Sequence, residues 1–143
     1  MDDVAARPGA GARQRATAKL TLRILPGRFA ICRLDPGAAV PEFLTGPPLW
    51  SATRTADELS LVLPEQNVPP DWQAERGWKC LQVQGPLPFE LTGIMAGLSA
   101  SLASAGVSLF AISTYDTDYV LVREKDLPAS RRALSASGYV LTE

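Results

Sequence analysis

Hydrophobic positions along this chain recur first with period two and, in the second half, also with the period of a helix. Leu20, Leu22 and Ile24 alternate with Thr21 and Arg23, the signature of a half-buried strand. Pro26-Gly27 supplies a tight turn, Pro fixing one φ and Gly tolerating a positive one, and Phe29 to Leu34 returns as a second strand. Residues 20–34 thus predict a hairpin. Ala38 to Leu44 predicts a short helix with Val40, Phe43 and Leu44 on one face, stopped by Gly46-Pro47-Pro48. Trp50 to Thr55 and Leu59 to Leu63 predict a second hairpin about Ala56-Asp57-Glu58. Pro64 to Trp72 reads as an irregular crossing, with a helical turn over Asp71 to Arg76.

From Trp78 the pattern is more regular. Trp78 to Val83 is a strand, Gly85-Pro86-Leu87-Pro88 a stiff loop, and Gly93 to Ala105 a helix with Ile94, Met95, Leu98 and Leu102 on one face. Thr92 stands where an N-cap belongs, and Gly106 where a left-handed stop belongs. The helix's other face is Ala, Ser and Gly, small enough for close approach of another chain. Val107 to Ser113 and Asp118 to Glu124 follow as strands. Asp126 then caps a helix over Leu127 to Ser137 that Gly138 ends, and Tyr139 to Leu141 closes as a strand.

Residues 78–142 therefore read β-α-β-β-α-β, an α+β, ferredoxin-like arrangement with two helices on one face of an antiparallel sheet. Residues 29–76 look like a trimmed copy with a poor second helix. The period of about fifty residues indicates a degenerate duplication. The expected organisation is a disordered leader over 1–18, a degenerate unit over 19–76 and a complete unit over 77–143. The leader has no hydrophobic period, and Arg7, Arg13, Arg15 and the later Arg23 are too thinly spread for a nucleic-acid arm.

Charge narrows the functional classes. Fourteen basic against fifteen acidic residues leave a net charge of −1, which gives no electrostatic case for nucleic acid. No apolar run is long enough to span a bilayer, and no apolar signal core opens the chain, so the expected compartment is the cytoplasm. Histidine is absent, which removes the usual general base and the commonest transition-metal ligand. Cys32 and Cys80 alone form no zinc-type cluster and are expected to be buried, reduced thiols; no cofactor is implied. Ser99, Ser101 and Ser104 lie along a helix with no base available, and no spacing brings Glu65, Asp71, Glu75 or Asp126 into a catalytic pair. Trp50, Trp72 and Trp78 are expected to fill the core between the halves or cover its edge.

Two polar segments remain: Phe89-Glu90-Leu91-Thr92-Gly93-Ile94-Met95, and Ser113-Thr114-Tyr115-Asp116-Thr117-Asp118-Tyr119. An α-amino acid presents a carboxylate and an ammonium a few ångströms apart. The carboxylate suits the free N–H groups opening the helix after Gly93, where the dipole adds ~0.3–1 kcal/mol. The ammonium, or a basic side chain, suits Asp116 or Asp118, and Tyr115 offers a cation–π face. Ordinary turn chemistry also accounts for each residue separately: Asp116-Thr117-Asp118 as a turn, Thr92 as a cap, Tyr115 and Tyr119 as cross-strand packing.

The run Leu91 to Ile94, with Gly106 to Val122 through Ser113-Thr114-Tyr115-Asp116-Thr117-Asp118, resembles the small bacterial stand-alone tandem ACT-domain proteins. It is also similar to the ACT halves of the CASTOR-type cytosolic arginine sensors. The resemblance covers Leu20 to Leu141 and is strongest over 91–123. It implies a regulatory, non-catalytic module that binds a small amino acid at an ACT–ACT interface, assembles as a homo-oligomer and passes its signal through assembly or a partner protein. It carries ligand binding onto Glu90, Leu91, Thr92, Gly93 and Ile94 for the loop, and onto Ser113, Thr114, Tyr115, Asp116, Thr117 and Asp118 for the facing strand end. Asp118 matches an acidic ligand contact of the sensors. Two features depart from the pattern: two units stand where the sensors have four, and the glycine-rich loop is reduced to Gly93. The alternative classes are a ligand-free dimerisation module and an uncharacterised enzyme.

Overall fold

The computed structural model describes residues 20–143, so the leader expected over 1–18 lies outside the described residues. These residues form eight strands and two helices, divided between two compact units that share one long strand.

The first unit is Leu25–Lys79. Its strands are β2 (Phe29–Leu34), β3 (Ser51–Arg54), β4 (Leu59–Pro64) and the opening residues of β5 (Gln73–Val83). Period-two alternation puts Ala30 and Cys32 of β2 with Leu59, Leu61 and Leu63 of β4 in one buried cluster, and Ala30 pairs Leu63 while Cys32 pairs Leu61. Burial raises the pKa of the Cys32 thiol, partly opposed by Arg76; Cys32 and Cys80 are both buried free thiols. The β3–β4 hairpin forms as expected, and Thr55 Oγ1 accepts the Asp57 and Glu58 amides at 3.1 and 3.2 Å to fix its turn. Glu65 clamps the far end, accepting the Gly77 amide at 2.7 Å and pairing with Arg28 Nε at 3.3 Å.

Two expectations fail here. Residues 38–44 form turns instead of a helix, because Pro41 in its middle can neither donate the required bond nor clear the preceding carbonyl. The helical turn over Asp71 to Arg76 is also absent: the chain is already extended at Gln73, where Gln73, Ala74 and Glu75 pair with Arg33, Cys32 and Ile31. Trp72 packs half-buried on this unit's core, 6.0 Å ring to ring from Phe43, while Trp50 stays exposed and Trp78 is buried.

The second unit comprises residues 20–24 and Cys80–Glu143. It holds β1 (Thr21–Ile24), the end of β5, α1 (Ile94–Ser104), β6 (Phe110–Ser113), β7 (Asp118–Arg123), α2 (Leu127–Ala136) and β8 (Val140–Thr142). The hairpin expected over 20–34 does not form. Strand β1 runs antiparallel to β5, with Leu22 opposite Val83, and parallel to β8, with Leu22 opposite Leu141. Both of its hydrogen-bonding edges are taken, so none is left for β2.

Ile94, Leu98 and Leu102 of α1 meet Leu22, Val83, Val120, Val122 and, from α2, Leu134 in one core. The helices also touch through Ser101, whose hydroxyl donates to the Ala133 carbonyl at 3.0 Å and lies 2.9 Å from Ser137 Oγ. Ser99 and Ser104 bond backbone carbonyls of their own helix. Gly106 (φ 72°) ends α1 in the left-handed conformation as expected. The caps differ from expectation: Gly93, not Thr92, is the N-cap of α1, and Asp126 holds the N-cap position of α2 without a side-chain cap bond.

The pairing logic of the two units is the same. In the second, β6 pairs only β7, and β7 also pairs β5; in the first, β3 pairs only β4, and β4 also pairs β2. This is the split, ferredoxin-like α+β arrangement, with both helices present in the second unit, where β1 lies between β5 and β8, and with no α-helix among the described residues of the first. No helix among the described residues is long and apolar enough to cross a membrane.

The second core depends on α1. Leu102, fully buried, leaves a cavity when truncated, and Leu102→Ala is expected to lower unfolding stability by about 2–5 kcal/mol, read as a lower urea midpoint at unchanged slope.

Candidate functional site

The split topology returns the chain entering α1 to the turn between β6 and β7. The turn closes itself: the Thr114 amide and hydroxyl both donate to the Thr117 carbonyl, at 2.8 and 3.0 Å, and the Thr117 amide donates back to Thr114 Oγ1 at 3.3 Å. Two further bonds tie it to the 83–87 segment. The Leu87 amide donates to the Asp116 carbonyl at 2.8 Å, and the Thr117 hydroxyl donates to the Val83 carbonyl at 2.5 Å. Opposite, the Leu91 amide bonds the Pro88 carbonyl, and Gly93 (φ 81°) enters α1 in a conformation other residues adopt only at a cost. No side chain caps α1, and helical geometry leaves the amides of its first turn without an intrahelical partner.

Between the two segments lies a cavity of about 320 Å³. Leu91, Gly93 and Ile94 line it from one side and Ser113 to Asp118 from the other. Glu90 and Thr92, carried into the candidate site by sequence, are exposed and do not belong to the lining. Leu87, Pro88, Phe89 and Met95 do belong to it: Phe89 and Met95 bound the segment singled out by sequence without being assigned a ligand contact, and Leu87 and Pro88 were read only as part of a stiff loop. The available signal was the proline-rich loop stiffening the approach to a helix start, followed at once by an aromatic residue. Phe89 and Tyr115 meet edge to face at the rim, centroids 5.0 Å apart at 84°, although 72% and 81% exposed.

The lining carries two carboxylates, Asp116 and Asp118, and, among the described residues, no basic side chain. Its chemistry is that of a receptor for positive charge beside the donor end of a helix. Tyr119, next to the lining, accepts a hydrogen bond from Gln82 Nε2 at 3.3 Å. Its phenol is pushed above the ordinary value of 10.0 by burial first, then by negative charge at Cys80 and Asp116. Among the described residues no group of three His, Cys, Asp or Glu could hold a metal ion.

Fold and cavity together define an ACT-type module, and comparison with known proteins agrees. A family model for the ACT domain matches residues 73–136, and a separate N-terminal-domain model matches residues 27–71. The chain is a small ACT-domain protein, similar to the ACT halves of the CASTOR-type proteins. Human CASTOR3P is 29% identical over 93% of both chains. The bovine cytosolic arginine sensor for mTORC1 subunit 1 is 35% identical over 54% of this chain, a match that spans 27% of the sensor. Among solved structures, protein Atu0741 from Agrobacterium tumefaciens is 37% identical, with a TM-score of 0.81 over 86% of this chain and 92% of its own. The regulatory subunit of aspartate kinase from Thermus thermophilus shares the fold at 11% identity, with a TM-score of 0.58 over 83% and 99%.

The raised Tyr119 pKa has a signed consequence. Both states hold the neutral phenol below pH 10; above it the unfolded chain ionises first, so the folded state loses stability as pH rises. Tyr119→Phe is expected to flatten that alkaline loss, seen in urea midpoints measured from pH 8 to about 11.

Proposed function

We propose that this protein is a non-catalytic regulatory module that binds a small free amino acid in the cavity between the α1 entry loop and the Ser113–Asp118 segment. The observation that carries the reading is that an uncapped helix N-terminus and two carboxylates line one small cavity. The ligand carboxylate takes the first-turn amides of α1, with Gly93 allowing close approach. The ammonium takes Asp118, supported by Asp116. A basic side chain fits best, because the lining offers a second carboxylate and the aromatic rings of Phe89 and Tyr115, in keeping with the arginine named in the bovine relative's description.

In this reading the signal is differential binding. The ligand favours one arrangement of ACT units, with a second copy of the chain completing the site, and a partner protein in the cytoplasm reads the resulting assembly. The exposure of Phe89 and Tyr115 beside the cavity supports a further surface closing over it.

A thermal-shift screen against the twenty amino acids tests the proposal. A true ligand at a hundredfold its Kd is expected to stabilise the protein by about 2.7 kcal/mol, and Asp118→Ala to abolish the shift. An unchanged shift in Asp118→Ala removes Asp118 as the ammonium partner, and no shift with any amino acid leaves the ligand-free interaction module.

A further inference from the structure

Thr117 differs in kind from the other residues of the acidic segment. It is only 5% exposed, whereas Thr114, Tyr115 and Asp116, just before it, are exposed. Its hydroxyl is spent on the Val83 carbonyl at 2.5 Å, at the last residue of β5. Its carbonyl receives both Thr114 donors, and its amide returns to the Thr114 hydroxyl. Beside it, the Leu87 amide holds the Asp116 carbonyl at 2.8 Å, the only other hydrogen bond described between this turn and the loop leading to α1. The fit leaves no slack. A Cβ built at Gly85 would lie 3.0 Å from the Asp116 carbonyl oxygen and 3.1 Å from the Thr117 Cβ.

We infer that Thr117 is a positioning residue: its buried hydroxyl bolts the carboxylate-bearing turn to the end of β5, and so sets the spacing between Asp116 and Asp118 on one wall and the α1 entry loop on the other. This deepens the proposed amino-acid site and rests on it, but assigns Thr117 no contact with the ligand. A buried acceptor left without its donor is costly, so loss of the hydroxyl moves the turn, and the Leu87–Asp116 bond and the Phe89–Tyr115 contact go with it. Serine keeps the donor and keeps the wall. Valine keeps the volume and loses it.

The test needs no ligand, so it succeeds or fails independently of the amino-acid screen. Amide exchange of Leu87 and the ring-current shifts of the Phe89–Tyr115 pair are followed by NMR in the full chain, with Leu98, Leu102 and Leu121 as core references. Thr117→Val is expected to speed Leu87 exchange at least tenfold and to collapse the ring-current shifts, with core amides unchanged; Thr117→Ser is expected to restore both. Gly85→Ala keeps the hydroxyl but wedges the same junction, and is expected to give the same loss, which keeps the idea testable if Thr117→Val does not fold. Leu87 protection and the aromatic shifts persisting in Thr117→Val, or in Gly85→Ala should the valine variant not fold, would overturn the assignment. So would equal loosening of the core references, since the hydroxyl would then serve general stability.

Discussion

The pairing of β7 with β5 is the constraint on which the second unit hangs. Because β6 and β7 form a hairpin, and β7 rather than β6 lies beside β5, the chain leaving β5 for α1 and the turn entering β7 emerge together. The bond from the Thr117 hydroxyl to the Val83 carbonyl is the visible sign of that meeting. The cavity is thus a product of topology before it is a product of side chains.

Energetically the two walls rest on different supports. The loop wall is carried by α1, whose Ile94, Leu98 and Leu102 are buried among strand residues and which is therefore as rigid as the core itself. The turn wall has almost no apolar burial beyond Thr117 and depends on a few hydrogen bonds. In the proposed amino-acid site, binding energy spent on the softer wall would change its geometry without threatening the fold.

The first unit shows what the pairing pattern costs to keep without helices. Its strands preserve the split arrangement, yet its own described residues supply no amphipathic helix to the core of Ala30, Cys32, Leu44, Leu59, Leu61, Leu63 and Val68. Turns around Pro41 and the half-buried Trp72 stand where helices would lie. Local clamps compensate, above all Glu65, which binds the Gly77 amide and the Arg28 guanidinium at once. Cys32 sits in that core as a buried free thiol whose pKa burial pushes up.

How much could be read from the chain alone follows from which signals are local. The β-α-β-β-α-β order of the second half, the α1 stripe of Ile94, Leu98 and Leu102 and the stop at Gly106 were legible, since periodicity and glycine chemistry act over a few residues. So was the convergence of Leu91, Gly93 and Ile94 with Ser113 to Asp118 on a single cavity. The partner of β1 was not legible: Pro26-Gly27 looks like a hairpin turn, and only long-range pairing with Val83 and Leu141 assigns the strand elsewhere. Nor was the division of labour within the site. Whether a threonine faces a ligand, as Thr92 and Thr117 were both read, or stays outside, or anchors the wall, depends on which carbonyl its hydroxyl reaches. For Thr117 that carbonyl lies 34 residues away in sequence, and only the folded chain brings it within reach.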